Sequence, residues 1–447
     1  MPSVVHVVHC IDTEGPLHES LEATFERLNA IFGLDLPPSA NTLRAIQNQQ
    51  MDLNGLEKKA ARVFAPDLLD YNDTWDKLDG MLERVMAPEF RESTPDSFGN
   101  GWVYNWFCVD HIGYRTNPRD RDLGLYRIHD HYCDMMAKTS SPQDGLYFHF
   151  HPVSLQQGGT HAATRYFNDG GRLYDILAHY ILDKQWFPSA YRPGFHSERP
   201  DSHWFLEQFI PFDFANQATH EDQDSEQKDI SGGRFGDWRR APVTWQPYHP
   251  DPDDYQRPGA CRRWIMRCLN VGTRLRLLEQ NDVDQAFQEA ADGLPVVLCF
   301  ANHDFRNIDP DVTRVMDMLK AASDRFPDVP YRYADAREAV RGALGLKTNG
   351  SFELTADLDG NVLRVQATAG KTFGPQPFLA IRTRSGEYHH DNLDFTQPFS
   401  SWSYTFDEQT VSLQDVDRIG VAACDAVANV CVTTLNPGNG KSSVRTF

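Results

Sequence analysis

Two closely spaced pairs of side chains have the composition of a metal or acid–base site. Asp12 and Glu14 follow an apolar run near the N-terminus, and His149 and His151 close a second apolar run. Because alternate residues of a strand share a face, the members of each pair are expected to point the same way. Two imidazoles so placed can bind a metal such as zinc. Each pair also has an ordinary explanation, since acidic pairs often cap turns or helices and two histidines can hydrogen-bond inside a barrel.

Further polar groups occur where other apolar runs end. Arg192 closes a third run, His303 follows a fourth, and Asp237 with Trp238 lies between them. An arginine at a strand end commonly pairs with a carboxylate or binds an anionic ligand. Each of these residues is only suggestive when taken alone. Together they fall where a single active-site mouth is expected.

The elements that must position these residues alternate between two kinds up to about residue 345. Four short apolar runs, flanked by turn residues, predict buried parallel strands at residues 4–11, 146–151, 186–192 and 294–301. Apolar residues at helical spacing predict helices at residues 21–31, 173–182, 261–278 and 309–326. Strands that alternate with helices imply a parallel sheet or barrel, whose chemistry gathers at the carboxyl ends of the strands.

The pattern changes after Gly350, where the apolar residues alternate with period two and are interrupted by hairpin turns. Short strands of this kind predict a small β-sandwich. The sequence therefore predicts an α/β fold with two domains, a barrel at residues 1–347 and a β-sandwich accessory domain at residues 350–447.

The order of these motifs resembles the polysaccharide deacetylase (NodB-homology) superfamily, over roughly residues 4–340. That family has an acidic pair, a histidine pair, an Arg-Pro, an Asp-Trp and a late histidine in this order, on a distorted (β/α)-barrel. The similarity is closest to a divergent WbmS-like branch. One departure is the histidine pair, which is His-x-His here and more widely spaced in the family. A second is the insertion before it, where His111, His129 and His131 can supply a ligand instead.

The resemblance implies a role for each matching residue. Glu14, His149 and His151 would hold a divalent transition metal, with zinc as the expected ion. Asp12 would act as general base, and Arg192 would hold it ionised and oriented. A further pair completes the implied machinery: His303 would protonate the leaving amine, and Asp237 would orient and charge His303.

Substrate contacts are expected from two groups of residues near these motifs. Three aromatic side chains can stack on a sugar face: Trp238, Trp245 and Tyr248. Arg115 and Arg119 suit a phosphate or uronate on the substrate, although they are equally well explained as solvated loop cations.

The expected function is removal of an acyl group, with acetyl the expected one, from the amide nitrogen of an amino sugar or a related glycan precursor. The same machinery suits another non-peptide C–N bond, such as a formamide or a cyclic amide, or an O-acyl ester. The alternative from a different class is a catalytically inactive carbohydrate-binding protein. Metal content discriminates between the enzyme and this binding protein.

Composition narrows the partners and the compartment. A formal net charge of −20 disfavours nucleic acid and anionic membranes as partners. No secretory signal or membrane span is evident, so we expect a cytoplasmic protein, and the sequence is compatible with a homo-oligomer. The eight cysteines are expected to be free thiols, with Cys424 and Cys431 the one pair suited to a hairpin disulfide.

Overall fold

Seven parallel strands close into a barrel in the computed structural model, which describes residues 2–110, 124–155, 171–220, 236–348 and 350–447. The strands of this part of the chain are β1 (Val5–Thr13), β2 (Tyr104–Asp110), β3 (Gly145–Phe150), β4 (Ala190–Pro193), β5 (Phe212–Asn216), β6 (Pro250–Asp251), β7 (Asp254–Pro258), β8 (Trp264–Asn270), β9 (Val296–His303) and β10 (Tyr331–Tyr333). The barrel order is β1-β2-β3-β4-β5-β8-β9, and β9 closes it by pairing with β1. Strand β10 extends the sheet beside β1, and β6 and β7 form a separate hairpin.

Helices surround this barrel and connect its strands. They are α1 (Leu21–Phe32), α2 (Ala40–Gln47), α3 (Glu57–Val63), α4 (Trp75–Met86), α5 (Pro88–Arg91), α6 (Arg127–Lys138), α7 (Arg172–His179), α8 (Pro200–Phe209), α9 (Gln280–Ala291), α10 (Asp309–Arg325) and α11 (Ala336–Leu344). Helix α1 begins where the Ser20 hydroxyl accepts the Ala23 N–H, and it ends at Gly33 in the left-handed conformation. No helix among these described segments is both long and apolar enough to cross a membrane.

The predicted helix at residues 261–278 is wrong. Strand β8 occupies residues 264–270, and its side chains alternate between the two faces of the barrel wall. Met266 and Cys268 belong to the cluster of apolar residues inside the barrel. Two basic residues of this segment, Arg263 and Arg267, are buried and bind the carboxylates of Glu198 and Asp282, respectively. Local periodicity alone does not reveal such buried ion pairs.

Two antiparallel sheets follow the barrel. Their strands are β11 (Glu353–Asp359), β12 (Val362–Ala369), β13 (Phe378–Thr383), β14 (Tyr388–Asp391), β15 (Asp394–Gln397), β16 (Ser401–Thr405), β17 (Val416–Cys424), β18 (Val430–Leu435) and β19 (Ser442–Thr446). One sheet has the order β11-β12-β16-β15 and the other β14-β13-β17-β18-β19. Residues of both sheets form one apolar cluster, while the other face of the five-stranded sheet packs against α7 and α8.

The suggested disulfide between Cys424 and Cys431 is not formed, and both residues are free thiols. The register of β17 and β18 places Cys431 opposite Ala423 rather than Cys424. Neighbouring strand residues point to opposite faces, so Cys424 lies in the apolar cluster against the barrel and Cys431 in the cluster between the two sheets.

Candidate metal-dependent active site

The registers of the barrel strands bring the predicted residues together at the carboxyl ends of β1, β3, β4 and β9. Asp12 on β1 is paired with His303 on β9, and His149 on β3 is paired with Arg192 on β4. Paired residues of adjacent strands point to the same side of the sheet. Closure of the barrel then places both pairs in one interior, with Glu14 just beyond the end of β1.

Glu14, His149 and His151 form a buried group of three that can hold a metal ion. The Nε2 atoms of His149 and His151 are 3.0 Å apart, and Glu14 Oε1 lies 3.7 Å from His149 Nε2 and 3.4 Å from His151 Nε2. Ligand atoms about 2.0–2.1 Å from a tetrahedral zinc are roughly 3.3 Å apart, so the donor set fits such an ion.

The tautomer of His149 also suits a metal ligand. Its Nδ1 lies 2.9 Å from the carbonyl oxygen of Arg192. A carbonyl can only accept a hydrogen bond, so Nδ1 carries the proton and the Nε2 lone pair faces Glu14 and His151.

Asp12 and Arg192 form a buried, bidentate ion pair beside this triad. Arg192 Nε lies 2.6 Å from Asp12 Oδ1, and Nη2 lies 3.0 Å from Oδ2. Burial by itself favours the protonated form of Asp12, but the nearby Arg192 guanidinium outweighs burial and holds the pKa of this carboxyl well below its usual range. Arg192 also donates to the Phe214 carbonyl and to Cys268 Sγ, so its guanidinium is fixed on several sides.

His303 lies at the more open side of the same cluster. Its Nε2 is 3.9 Å from Asp12 Oδ2 and 3.8 Å from Glu14 Oε1, and its side chain is 23% exposed. The Phe305 ring packs against the imidazole, with ring centroids 4.7 Å apart. The imidazole can therefore reach both the buried carboxylates and a molecule that enters from outside.

Two of the alternative ligands in the insertion, His129 and His131, have partners outside the triad. His129 is buried between aromatic rings on α6, with Nδ1 3.3 Å from Asp130 Oδ1. His131 Nε2 lies 2.9 Å from Asp79 Oδ1. His111 lies outside the described residues.

Asp237 does not contact His303 in the way that the resemblance implies. Its two carboxylate oxygens accept hydrogen bonds from Nε and Nη2 of Arg239, each at 3.1 Å. The described carboxylates near His303 belong instead to Asp12 and Glu14.

The three aromatic residues expected to stack on a sugar are buried, so that prediction is corrected. Trp238 donates from Nε1 to the carbonyl of His196, and Tyr248 donates from its hydroxyl to the carbonyl of Tyr255. Trp245 lies in the apolar core with the Arg267 guanidinium over its ring. Their ring faces pack against protein and leave no face for a sugar. Arg115 and Arg119 lie outside the described residues.

The turn after β4 contributes residues that the sequence does not single out. Phe195 and His196 have φ values of 54° and 50°, a conformation uncommon for residues other than glycine. The Phe195 ring packs on His151 with centroids 5.0 Å apart. A Cβ added to Gly194 would lie 2.5 Å from ring atoms of His151, so only glycine leaves room for this imidazole.

Asp304 is a second residue whose importance only the structure reveals. It is fully buried, and its carboxylate binds the main chain of the turn that carries Glu14. The sequence signal is weak, because Asp304 belongs to a polar run that follows the last apolar strand.

The molecule is thus an α/β protein with a closed parallel barrel and a candidate metal site in the barrel interior. Comparison with models of known protein families gives no match, and comparison with curated protein sequences gives none either. The functional argument therefore depends on the residues of this site.

Proposed function

We propose that the chain is a metal-dependent hydrolase that removes an acyl group, with acetyl the expected one, from the amide nitrogen of an amino sugar or related glycan precursor. One observation supports the assignment as a hydrolase: the buried triad of Glu14, His149 and His151 lies beside a carboxylate held by a buried arginine. The resemblance in motif order suggests the acyl group and the sugar. Within this proposal the barrel is of the NodB type and the two antiparallel sheets are a β-sandwich accessory domain.

A metal bound by the triad, with zinc expected, would supply Lewis acidity toward the scissile carbonyl. The residues that we assign to it are one carboxylate and two imidazoles, a set found in hydrolytic zinc sites that keep a position open. Zinc is preferred over a harder ion because two of the three donors are nitrogen atoms.

The remaining chemistry belongs to side chains of this chain. Asp12 accepts a proton from the attacking water, and Arg192 keeps Asp12 ionised and oriented for this role. The water oxygen bonds to the carbonyl carbon as the C–N bond breaks. His303 donates a proton to the departing nitrogen, so that an amine rather than an amide anion leaves. The carboxylates of Asp12 and Glu14 lie 3.9 and 3.8 Å from His303 Nε2.

The same arrangement suits a formamide, a cyclic amide or an O-acyl ester, because each has a carbonyl carbon open to water. The proposal also places the protein in the cytoplasm. The eight free thiols support this compartment, since they persist in reducing surroundings.

The test combines metal analysis with an amine-release assay. The purified full chain is expected to hold about one transition-metal ion and to release amine from some member of a panel of free and nucleotide-linked N-acyl amino sugars. His149→Ala and His151→Ala are each expected to lose the ion, because two remaining ligands hold it poorly. His131→Ala is the matched control and should retain the ion, since this imidazole binds Asp79 outside the site.

The outcomes separate the candidates. Wild-type protein that binds no added zinc or cobalt would exclude the hydrolase and favour a glycan-binding protein. Full metal retention in both His149→Ala and His151→Ala would exclude the assigned ligands. A metal-loaded protein that releases ester but no amine would move the reaction to O-acyl substrates.

A further inference from the structure

The carboxylate of Asp304 holds the turn that carries the metal ligand Glu14. Its Oδ1 accepts the Glu14 N–H at 2.8 Å, and its Oδ2 accepts the Gly15 N–H at 3.0 Å. A third donor, the Tyr132 hydroxyl on α6, lies 2.8 Å from Oδ2. This buried carboxylate therefore joins the ends of β1 and β9 to α6.

The backbone of this turn is shaped to meet the carboxylate. Gly15 has a φ of 71°, a left-handed conformation that glycine adopts without strain. Successive N–H groups beside a left-handed residue commonly converge on one anion. A Cβ at Gly15 would also lie 2.9 Å from Ile128 Cδ1, so α6 packs directly against the turn.

The third donor remains a donor over the working pH range. Burial raises the pKa of the Tyr132 hydroxyl well above its usual value, and the nearby Asp304 carboxylate adds to this effect. The hydroxyl thus stays protonated and continues to donate a hydrogen bond to Asp304 Oδ2. All three hydrogen bonds therefore converge on the two oxygens of one carboxyl group.

A separate pair of hydrogen bonds reaches the main chain at Asp304 and Arg306 and does not involve the Asp304 carboxylate. Asn72 donates from Nδ2 to the carbonyl of Asp304 at 2.8 Å and to that of Arg306 at 3.0 Å. His303, the expected acid, is the preceding residue. The carboxylate of Asp304 thus contacts the Glu14 turn, whereas the Asn72 amide contacts main-chain carbonyls after His303.

We propose that Asp304 is a positioning residue of the metal site, which sets the carboxylate of Glu14 against His149 and His151 without touching the ion. This inference relies on the proposed function only in that the triad binds a metal. Loss of an outer hydrogen-bond partner typically lowers metal affinity by about 10- to 100-fold. We expect a loss of this size for Asp304→Asn, which keeps the shape but has a single acceptor oxygen for three donors.

The experiment measures the zinc dissociation constant by competition with a chelator, together with the visible absorption of the cobalt-loaded full chain. Asn72→Ala is the matched control, because it removes two hydrogen bonds from the same strand end but none from Glu14 or Gly15. Both variants should lower the Tm of the metal-free protein. Only Asp304→Asn should lower zinc affinity by about 10- to 100-fold and shift the cobalt spectrum at saturating cobalt.

A second variant keeps the inference testable if Asp304→Asn fails to fold. Tyr132→Phe removes one of the three donors and should weaken zinc binding by about 3- to 10-fold. If Asp304→Asn folds and binds zinc as tightly as the wild type, the inference is overturned. If Asp304→Asn does not fold, wild-type zinc affinity in Tyr132→Phe overturns it. Equal losses in Asp304→Asn and Asn72→Ala, with unchanged cobalt spectra, would also overturn it and leave Asp304 a structural residue. These results are distinct from failure of the proposed function, in which wild-type protein binds no metal or metal-loaded protein hydrolyses no substrate.

Discussion

Replacing Arg192 by methionine tests whether the buried ion pair with Asp12 is as tightly coupled as its geometry indicates. Methionine fills much of the space of arginine and removes only the guanidinium. Asp12, 2% exposed, would then lose both hydrogen bonds from Arg192, at 2.6 and 3.0 Å. Removal of one partner from a buried pair costs about 3–5 kcal/mol, because it leaves an uncompensated charge. We expect a loss of this size in the free energy of unfolding at pH 7.

A double-mutant cycle separates the ion pair from the other contacts of Arg192. The hydrogen bonds to the Phe214 carbonyl and to Cys268 Sγ are lost in every variant that lacks the guanidinium. Asp12→Asn removes the buried charge, so the double variant should be more stable than additivity predicts, by about 2–3 kcal/mol. The assay is urea unfolding of the metal-free protein, followed by tryptophan fluorescence.

Arg267→Met is a suitable control because Arg267 is also a buried arginine of the barrel wall. Its partner Asp282 has a side chain that is 18% exposed, so water can solvate the carboxylate when the arginine is removed. We therefore expect Arg267→Met to lower the free energy of unfolding less than Arg192→Met does. Exposed ion pairs contribute up to about 1 kcal/mol, so a smaller decrease than this in the free energy of unfolding of Arg192→Met would refute the reasoning. Additive effects of Arg192→Met and Asp12→Asn in the double-mutant cycle would also refute it.

Three further predictions concern the acid, the histidine pair and a buried carboxyl. His303→Ala should abolish amide cleavage while sparing an activated ester, whose leaving group needs no proton; equal losses on both substrates would reassign the acid. Gly194→Ala should weaken zinc binding, because the added Cβ would lie 2.5 Å from the His151 ring and displace it. It should also lower the free energy of unfolding by about 1–3 kcal/mol. Chelator competition measures the zinc affinity, and urea unfolding measures the stability. Burial raises the pKa of Asp110 to about 7, so the folded state binds more protons than the unfolded state and wild-type stability falls as pH rises toward 7. Asp110→Asn should therefore gain about 2–3 kcal/mol relative to wild type between pH 5 and pH 8, and a pH-independent difference would contradict this.

Much of the candidate site could be predicted because it depends on strand geometry alone. The members of each pair, Asp12 with Glu14 and His149 with His151, are two positions apart at strand ends, and alternate strand residues share a face. Parallel strands around a barrel bring their carboxyl ends to one mouth. The metal triad and its neighbour Asp12 follow from these two rules.

The predictions that failed depend on partners far away in the chain. Arg267 lies on strand β8 and Arg263 just before it, rather than on a helix, and carboxylates from other elements pair with both arginines. Trp238 and Trp245 are core residues, and composition does not distinguish a buried tryptophan from one that faces a ligand.

The sequence by itself determined which side chains could do chemistry and at which strand ends they would lie. The resemblance implied that Arg192 holds Asp12, but only the tertiary structure shows how Arg192 reaches it across the barrel and that Asp304 holds the Glu14 turn. These contacts join residues 180 and 290 positions apart, as closure of the barrel brings β4 opposite β1 and lays β9 beside it. Periodicity reports the face on which a residue lies, whereas hydrogen bonds over such separations exist only once the whole sheet has closed.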